Sequence, residues 1–466
     1  MRGSKNRIER DSLGERELPA DAYYGIQTLR AMENFPVSGM YERPVFIHAY
    51  VILKKAAAIA NMELGTLDPV LGEAIVNAAD EALKGAFDDQ FRVDVFQAGA
   101  GTSCNMNVNE VLANRALELL GEPRGTYEIL SPNDHVNRGQ STNDTFPTAT
   151  HIAIIWEADR LIAALVTLAG VFERKGEEFA HLPKSGRTHL MDALPLTLGA
   201  EFAAYGAALH RAADRIRRQR DDLCEVAIGG TATGTGANAH PQFRDTVLRH
   251  LSRLASIDLR PPRNSFEALQ SRSQLGAFSA SLRGLALELV RIANDLRLLG
   301  SGPTTGLAEI ALPHVQPGSS IMAGKVNPVM AECLDMIAFH VIGNDTTVAL
   351  AVQAGQIDLN VMTPVMTHNI LESLAIMTAY LPVFQERCVE GITAHERRLQ
   401  EYLEINPILA TLLAPRIGYL KAAEIAREAQ EKGVPVRDVA VMRGVLSKQE
   451  ADRIFDPQAV ARSHYR

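Results

Sequence analysis

The feature that most constrains this chain is where its prolines are absent. No proline falls between Pro195 and Pro241, Pro262 and Pro303, Pro328 and Pro364, or Pro382 and Pro407. Proline breaks a helix interior by removing an N–H and clashing with the preceding turn, so each gap leaves room for one uninterrupted helix. The gaps are rich in Ala, Leu, Glu and Arg, and residues 149–180 form a fifth such segment. Apolar residues recur in them at three- and four-residue steps, as in Leu282, Leu285, Leu289, Ile292, Leu296 and Leu299. Globular helices average about 11–12 residues. Five long ones in succession predict a mainly α chain built on an extended bundle, with faces buried against other subunits.

That bundle is expected over residues 141–397. A mixed, mostly helical N-terminal domain is expected at 1–140, with helix signals at 47–64 and 69–83. A small C-terminal helical domain is expected at 398–466, with short helices at 422–430 and 449–455. A chain of 466 residues is too long for one simple core. Its hydrophobic and charged fractions, 46% and 22%, are those of an ordinary globular protein. A net charge of −8 argues against a nucleic-acid partner. The cluster Arg215, Arg217, Arg218 and Arg220 is offset by Asp214, Asp221 and Asp222 and reads as a solvated helix face.

Residues 1–15 are polar, without the apolar core of a signal peptide. The apolar stretch 151–172 is broken by Glu157, Asp159 and Arg160, so no membrane span is expected. Cys104, Cys224, Cys333 and Cys388 lie far apart and form no Cys-x-x-Cys. They suit free thiols in a reducing cytoplasm better than disulfides or a zinc site.

Between the helices lie five polar, glycine-containing segments, the kind of loop on which functional groups sit over a rigid scaffold. They are GAGTSCNMNVNE (99–110), NRGQSTNDTFPT (137–148), GRTHLMDALP (186–195), GGTATGTGANAH (229–240) and PGSSIMAGKVNP (317–328). In the second, Gln140, Ser141, Thr142, Asn143 and Asp144 run together just before a long helix. One such residue would serve as an N-cap. Five also suit a hydroxyl- and amide-lined carboxylate site, where helix N–H groups and the helix dipole favour an anion. Thr102 and Asn107 repeat these ingredients in the first segment, and Thr188-His189 precedes another predicted helix. A lone histidine is as readily structural as functional.

Several chemistries are excluded. Gly99-Ala100-Gly101 has no βαβ context, which argues against a dinucleotide. Gly324-Lys325 is followed by Val326, so no P-loop hydroxyl is available. No G-x-S-x-G elbow and no metal-ligand spacing is present, so neither a triad nor a metal is expected. What remains is a cofactor-free set of hydroxyls, amides, a histidine and a lysine. Such a set suits a carboxylated small molecule and proton abstraction beside its carboxylate.

Taken in order, the segments resemble the aspartase/fumarase superfamily of lyases over nearly the whole length. PGSSIMAGKVNP is similar to its signature loop, usually GSSxMPxKxNP. The resemblance is closest to the aspartate ammonia-lyases, through RIERDSLGERELPADAYYGIQTLRAMENF, GAGTSCNMNVNEVLANRA, GQSTND and VIGNDTTVALAVQAGQIDLNVM. Fumarases more typically carry GTQSNMN and SQSSND. The resemblance implies a three-domain chain whose central helices join those of three other copies in a 20-helix homotetramer core. It also implies active sites built from three subunits. The reaction implied is a reversible anti elimination of ammonia from an amino-acid substrate to give a dicarboxylate.

By the same resemblance, Ser319 matches the general base. Thr102, Ser141 and Thr142 match the β-carboxylate site, and Thr188, Lys325 and Asn327 the α-carboxylate site. Asn143 and His189 match positions near the amino group, and Arg30 an arginine assisting carboxylate binding. Gly318, Ser320 and Gly324 are expected to aim backbone N–H groups at Ser319.

The chain departs from the family at Ala323 (usually proline), Met191 (glutamine), Thr304 (arginine) and Thr363 (glutamate). It departs again in NPILATLLAPRIGYLKAA, at Pro407, Ala414, Arg416 and Leu420. These read either as drift or as a changed pocket. A changed pocket fits a same-mechanism lyase with another leaving amine, as in ergothionases that expel trimethylamine from a histidine betaine. Fumarate hydration is the other alternative.

Overall fold

The computed structural model describes residues 6–461. Residues 1–5, part of the polar N-terminal stretch, and 462–466 lie outside the described residues. The chain opens on a hairpin, β1 (Asn6–Asp11) and β2 (Gly14–Pro19), followed by α1 (Ile26–Asn34), α2 (Pro44–Glu63), α3 (Pro69–Ala82) and α4 (Thr102–Leu119). Next come α5 (Thr142–Glu178), a second hairpin of β3 (Pro183–Thr188) and β4 (Met191–Thr197), and α6 (Leu198–Asp222). Then follow α7 (Phe243–Ala255), α8 (Glu267–Gln270), α9 (Ser273–Leu299), α10 (Val329–Gln353), α11 (Thr363–Phe384) and α12 (Glu396–Glu404). Short helices close the chain, among them Tyr419–Lys432 and Lys448–Ile454.

The protein is mainly helical, as expected, and the starts of its helices follow local chemistry. The Asp68 side chain accepts from the N–H groups of Val70 and Leu71, and Pro69 opens α3 where its missing N–H is not needed. At 37 residues, α5 is about 55 Å long.

Two expectations need correction. The gap between Pro382 and Pro407 holds no long helix, only a single π-type turn at Gln385–Val389 and the nine-residue α12. The fifth long helix is α11, with Pro364 in its first turn, where the missing N–H is not needed, and Pro382 two residues before it passes directly into the π-type turn at Gln385–Val389. The other concerns α5, which begins at Thr142 rather than near 149 and carries Pro147 within it. Thr142, Asn143 and Asp144 are therefore the first turn of the helix, not a loop before it.

The chain divides into two compact units. Unit 1 comprises Met1–Ile162, Asp214–Gly284 and Phe339–Thr378; unit 2 comprises Ala163–Ala213, Leu285–Ala338 and Ala379–Arg466. In unit 1, Phe46, Tyr50 and Phe146 form a buried aromatic cluster, with Phe46 and Phe146 centroids 4.9 Å apart. A Cβ on Gly101, which has φ of 84°, would overlap the Phe146 ring. Only glycine lets the start of α4 pack there, so this glycine serves packing and not phosphate binding. By length and composition α2 could cross a bilayer, but Phe46, Ile47, Tyr50, Val51 and Leu53 are all buried in the core. In unit 2, Leu413, Ala422, Ile425, Val436, Val439 and Ala451 make a hydrophobic cluster of their own.

Candidate functional site

In unit 1 the first turn of α5 borders a cleft of about 410 Å³ lined by Thr102, Asn105, Ser141, Thr142, Thr231 and Asn238, among others. Ser141 caps the helix: its Oγ accepts from the N–H of Asn143 at 3.2 Å, and Asp144 Oδ1 accepts from the N–H of Ser141 at 3.0 Å. Asp144 Oδ2 accepts from the N–H groups of Gly229 (3.0 Å) and Thr231 (2.8 Å), tying the glycine-rich 229–240 loop to the helix. Asn105 Nδ2 donates to Thr142 Oγ1 at 2.9 Å. The hydroxyls of the polar run are thus oriented before any ligand arrives.

Two charges lie beneath this floor. Asp144 is fully buried, and burial pushes its carboxyl up to about 7, against the pull of the three N–H groups and Lys54. Lys54 is also fully buried; its Nζ donates to Asn137 Oδ1 (2.9 Å) and Gln140 Oε1 (3.0 Å), and burial lowers its ammonium to about 7. Thr231 Oγ1 and Asn105 Oδ1 are buried and have no hydrogen-bond partner among the described residues. Thr231 has φ of 55° and lines the cleft. Sequence reasoning passed over Lys54, Asn105 and Thr231. The available signal for Lys54 was a lysine inside an otherwise core-like run of valine, leucine and alanine.

The remaining predicted residues of unit 1 are placed differently. Asn143 Nδ2 donates to the carbonyl of Ala232 at 2.8 Å. Arg30 makes a bidentate pair with Asp11, Nε to Oδ2 at 2.8 Å and Nη2 to Oδ1 at 2.9 Å, and also donates to the Gly14 carbonyl. These bonds hold the Asp11 carboxyl below its ordinary value. Arg30 lines a second cleft of about 610 Å³, which shares Gln27 and Asn133 with the first.

In unit 2, residues 317–328 close on themselves. The Gly318 N–H donates to the Lys325 carbonyl at 2.8 Å, and Asn327 Nδ2 donates to the Gly318 carbonyl at 2.7 Å. A Cβ on Gly318 would lie within 2.7 Å of Asn327 N and Lys325 O, so this closure needs glycine. Ser319 Oγ accepts from two backbone N–H groups, those of Ile321 (3.2 Å) and Met322 (2.9 Å), rather than from those of Gly318, Ser320 or Gly324. The Lys325 N–H donates back to the Met322 carbonyl, and Gly324 has φ of 81°, giving a type II turn over 322–325. Ala323 occupies the second position of that turn, the position proline favours. The family's proline therefore has a geometric reason, and alanine leaves the turn less constrained.

Thr188 ends β3, and His189 follows it into the hairpin turn; both side chains are exposed. Among the described residues no hydrogen bond links this tip to the 317–328 loop. Nor is any group of three or more His, Cys, Asp or Glu side chains among them placed to hold a metal ion. Of the residues that depart from the family, Thr363 is buried, receives a hydrogen bond from Arg272 Nε at 3.3 Å and donates to the Asn360 carbonyl. Arg416 pairs with Glu450 at 2.8 Å.

A long-helix scaffold carrying amide- and hydroxyl-lined helix starts and a self-closed serine loop defines the class. The chain belongs to the lyase family, whose model matches residues 14–343, with a fumarase C C-terminal region at 409–462, and so to the aspartase/fumarase superfamily. It is 49% identical to the aspartate ammonia-lyase of Bacillus subtilis over 98% of this chain and 96% of that one. It is 45% identical to the class II fumarate hydratase of Thermus thermophilus over 98% and 99%. Among solved structures it is similar to a fumarate lyase:delta crystallin protein of Brucella melitensis bound to cobalt, with a TM-score of 0.96 and 46% identity, covering 98% of this chain and all of that one.

Proposed function

We propose that this lyase eliminates ammonia from L-aspartate, reversibly and with anti geometry, to give fumarate. The observation that carries the reading is the spelling GQSTND at the cleft. Its two differences from the fumarase spelling, Gly139 and Thr142, both fall on residues lining that cleft, and Gly139 has φ of 70°. The 48–49% identity to Bacillus aspartate ammonia-lyases supports it, beside 44% to those of Helicobacter pylori and 45% to class II fumarate hydratases.

In this reading Ser319, as an alkoxide, removes a proton from C3, and the electron pair passes into the β-carboxylate as an enediolate. The pair then returns to form the C2–C3 double bond as ammonia leaves C2. Catalysis requires tighter binding as charge grows on that carboxylate. Thr102, Ser141 and Thr142 receive it, supported by the α5 N–H groups. The N–H groups of Ile321 and Met322, already on Ser319 Oγ, support the alkoxide. Thr188, Lys325 and Asn327 bind the α-carboxylate, with Asn143 and His189 near the amino group and Arg30 assisting. No cofactor takes part.

We place the complete site in a homotetramer, each site drawing on three subunits, as the resemblance of the motifs implies. Exposed apolar residues on the long helices, such as Leu287, Met336, Phe339 and Leu350, support that assembly. A three-domain division of the chain accompanies it. Four free cysteines support a reducing cytoplasm. Fumarate hydration is the second reading, carried by the 45% relatives.

The test is formation of the conjugated product, read by ultraviolet absorbance, with L-aspartate and L-malate (fumarate) and ergothioneine (the unsaturated imidazole acid left when trimethylamine departs) in parallel. L-aspartate is expected to be turned over best. Turnover of L-malate or ergothioneine with none of L-aspartate would overturn the reading.

A further inference from the structure

The turn that carries His189 is built against its own sequence. Strand register pairs Arg187 with Asp192 and Thr188 with Met191, leaving His189 and Leu190 as the two turn residues. Both have positive φ, 57° and 60°. That is a type I′ turn, the conformation favoured by Asn-Gly and Gly-Gly. Residues held in such sparsely populated regions persist only where the surroundings over-determine them. Leu190 supplies none of that hold, since its side chain is 73% exposed.

The hold lies at the base of the hairpin. Glu309 is fully buried, with Oε2 2.6 Å from Lys184 Nζ and Oε1 2.7 Å from Arg187 Nη2. Lys184, also buried, is 2.9 Å from both oxygens of Glu201. The Glu309 backbone is fixed in turn: its N–H donates to the Leu299 carbonyl and its carbonyl accepts from the His395 N–H, each at 2.9 Å. From the C-terminal side, buried Asn406 donates through Nδ2 to Ser185 Oγ (3.0 Å) and the Ala193 carbonyl (2.8 Å), spanning the two strands.

A buried ion-pair network is a weak source of net stability, because desolvation cancels much of the attraction and apolar replacements often serve as well. Its distinctive property is geometric, since it fixes side chains that apolar packing leaves free to slide. Here both cations belong to β3, and Arg187 directly precedes Thr188.

We infer that Glu309 is a positioning residue for the hairpin tip. By joining Lys184 and Arg187 beneath β3 it holds the His189–Leu190 turn at positive φ, and so aims Thr188 and His189 at the substrate. What the tip does rests on the elimination reaction proposed above; how it is held does not.

The experiment combines hydrogen–deuterium exchange over residues 183–197 with kcat/KM for L-aspartate. Glu309→Gln keeps the shape and removes the charge. It is expected to speed exchange in that segment and to lower kcat/KM by about tenfold to a hundredfold, the scale of a misplaced binding group. Adding Leu190→Gly, which relaxes the turn, is expected to restore most of the lost kcat/KM, whereas Leu190→Gly alone changes it little. Unchanged exchange in Glu309→Gln would overturn the inference. So would a loss that Leu190→Gly does not relieve and that follows a lower Tm, the mark of a scaffold residue. Should Glu309→Gln not fold, Glu309→Asp is expected to show the same pattern at smaller amplitude, and unchanged exchange there overturns the inference equally. Wild-type protein inert toward L-aspartate, with exchange responding as expected, would sink the proposed function and leave the clamp standing.

Discussion

The Ser141–Thr142 cleft and the 317–328 loop are made of the same kinds of side chain and are held in opposite ways. In the cleft, Asn105, Thr142 and Asp144 are buried, and they are hydrogen-bonded to one another or to backbone two segments away. Most of the loop is exposed, with Ile321 at 88%, and among the described residues its hydrogen bonds stay within the loop or join its end to the first turn of α10. The difference teaches how binding and bond breaking are divided. A carboxylate is bound throughout the reaction, so its site gains from preorganisation inside a core. A base must reach the substrate after it has bound, and a self-contained loop can keep its own geometry while doing so.

This contrast can be broken in four ways, taken from the largest expected effect downwards. Ser319→Ala should lower kcat by about 10²- to 10⁴-fold, the range for losing a general base, with Tm unchanged because nothing in the core depends on that hydroxyl. Kinetics set beside a thermal melt check both halves. Thr142→Val should move both quantities. It leaves Asn105 Nδ2 without its 2.9 Å acceptor, at about 1–3 kcal/mol, and raises KM, as denaturant titration and initial rates would show. A Thr142→Val protein with normal stability would erase the distinction between the two regions.

The third test uses pH. Burial holds Asp144 at about 7 in the folded chain, above its ordinary 3.8, so the folded state binds that proton more tightly. Its contribution to stability is full below the unfolded value and is lost as pH rises from 3.8 toward 7. Across that window wild type should lose stability relative to Asp144→Asn at up to about 1.4 kcal/mol per pH unit, measured by denaturation at several pH values. The smallest effect is expected from Ala323→Pro. The Ala323 N–H donates no hydrogen bond among the described residues, and the site is the second position of a type II turn. Proline there should add about 0.4–1 kcal/mol, read as a small rise in Tm.

Much of this was legible in the sequence, and the failures are instructive. The polar segments announced themselves because glycine, serine, threonine and asparagine are out of place in a chain of helix formers. Helix ends were read less well: Pro364 and Pro382 suggest breaks, yet Pro364 opens α11 where its missing N–H is not needed, and the helix runs two residues past Pro382 into a π-type turn. Lys54 and Asp144 were invisible as a pair because their burial is set by tertiary packing, not by neighbours in sequence. Glu309 was invisible for the same reason. Nothing in GLAEIALP marks a glutamate that will meet a lysine and an arginine from a distant hairpin.

The most direct test is to run the reaction backwards in D2O, adding fumarate and ammonium to wild-type protein and to Ser319→Ala and following the products by proton NMR. The account predicts L-aspartate carrying one deuterium at C3 from wild type, and essentially none from Ser319→Ala. Deuterated malate as the sole product, or aspartate formed by Ser319→Ala at the wild-type rate, would contradict it.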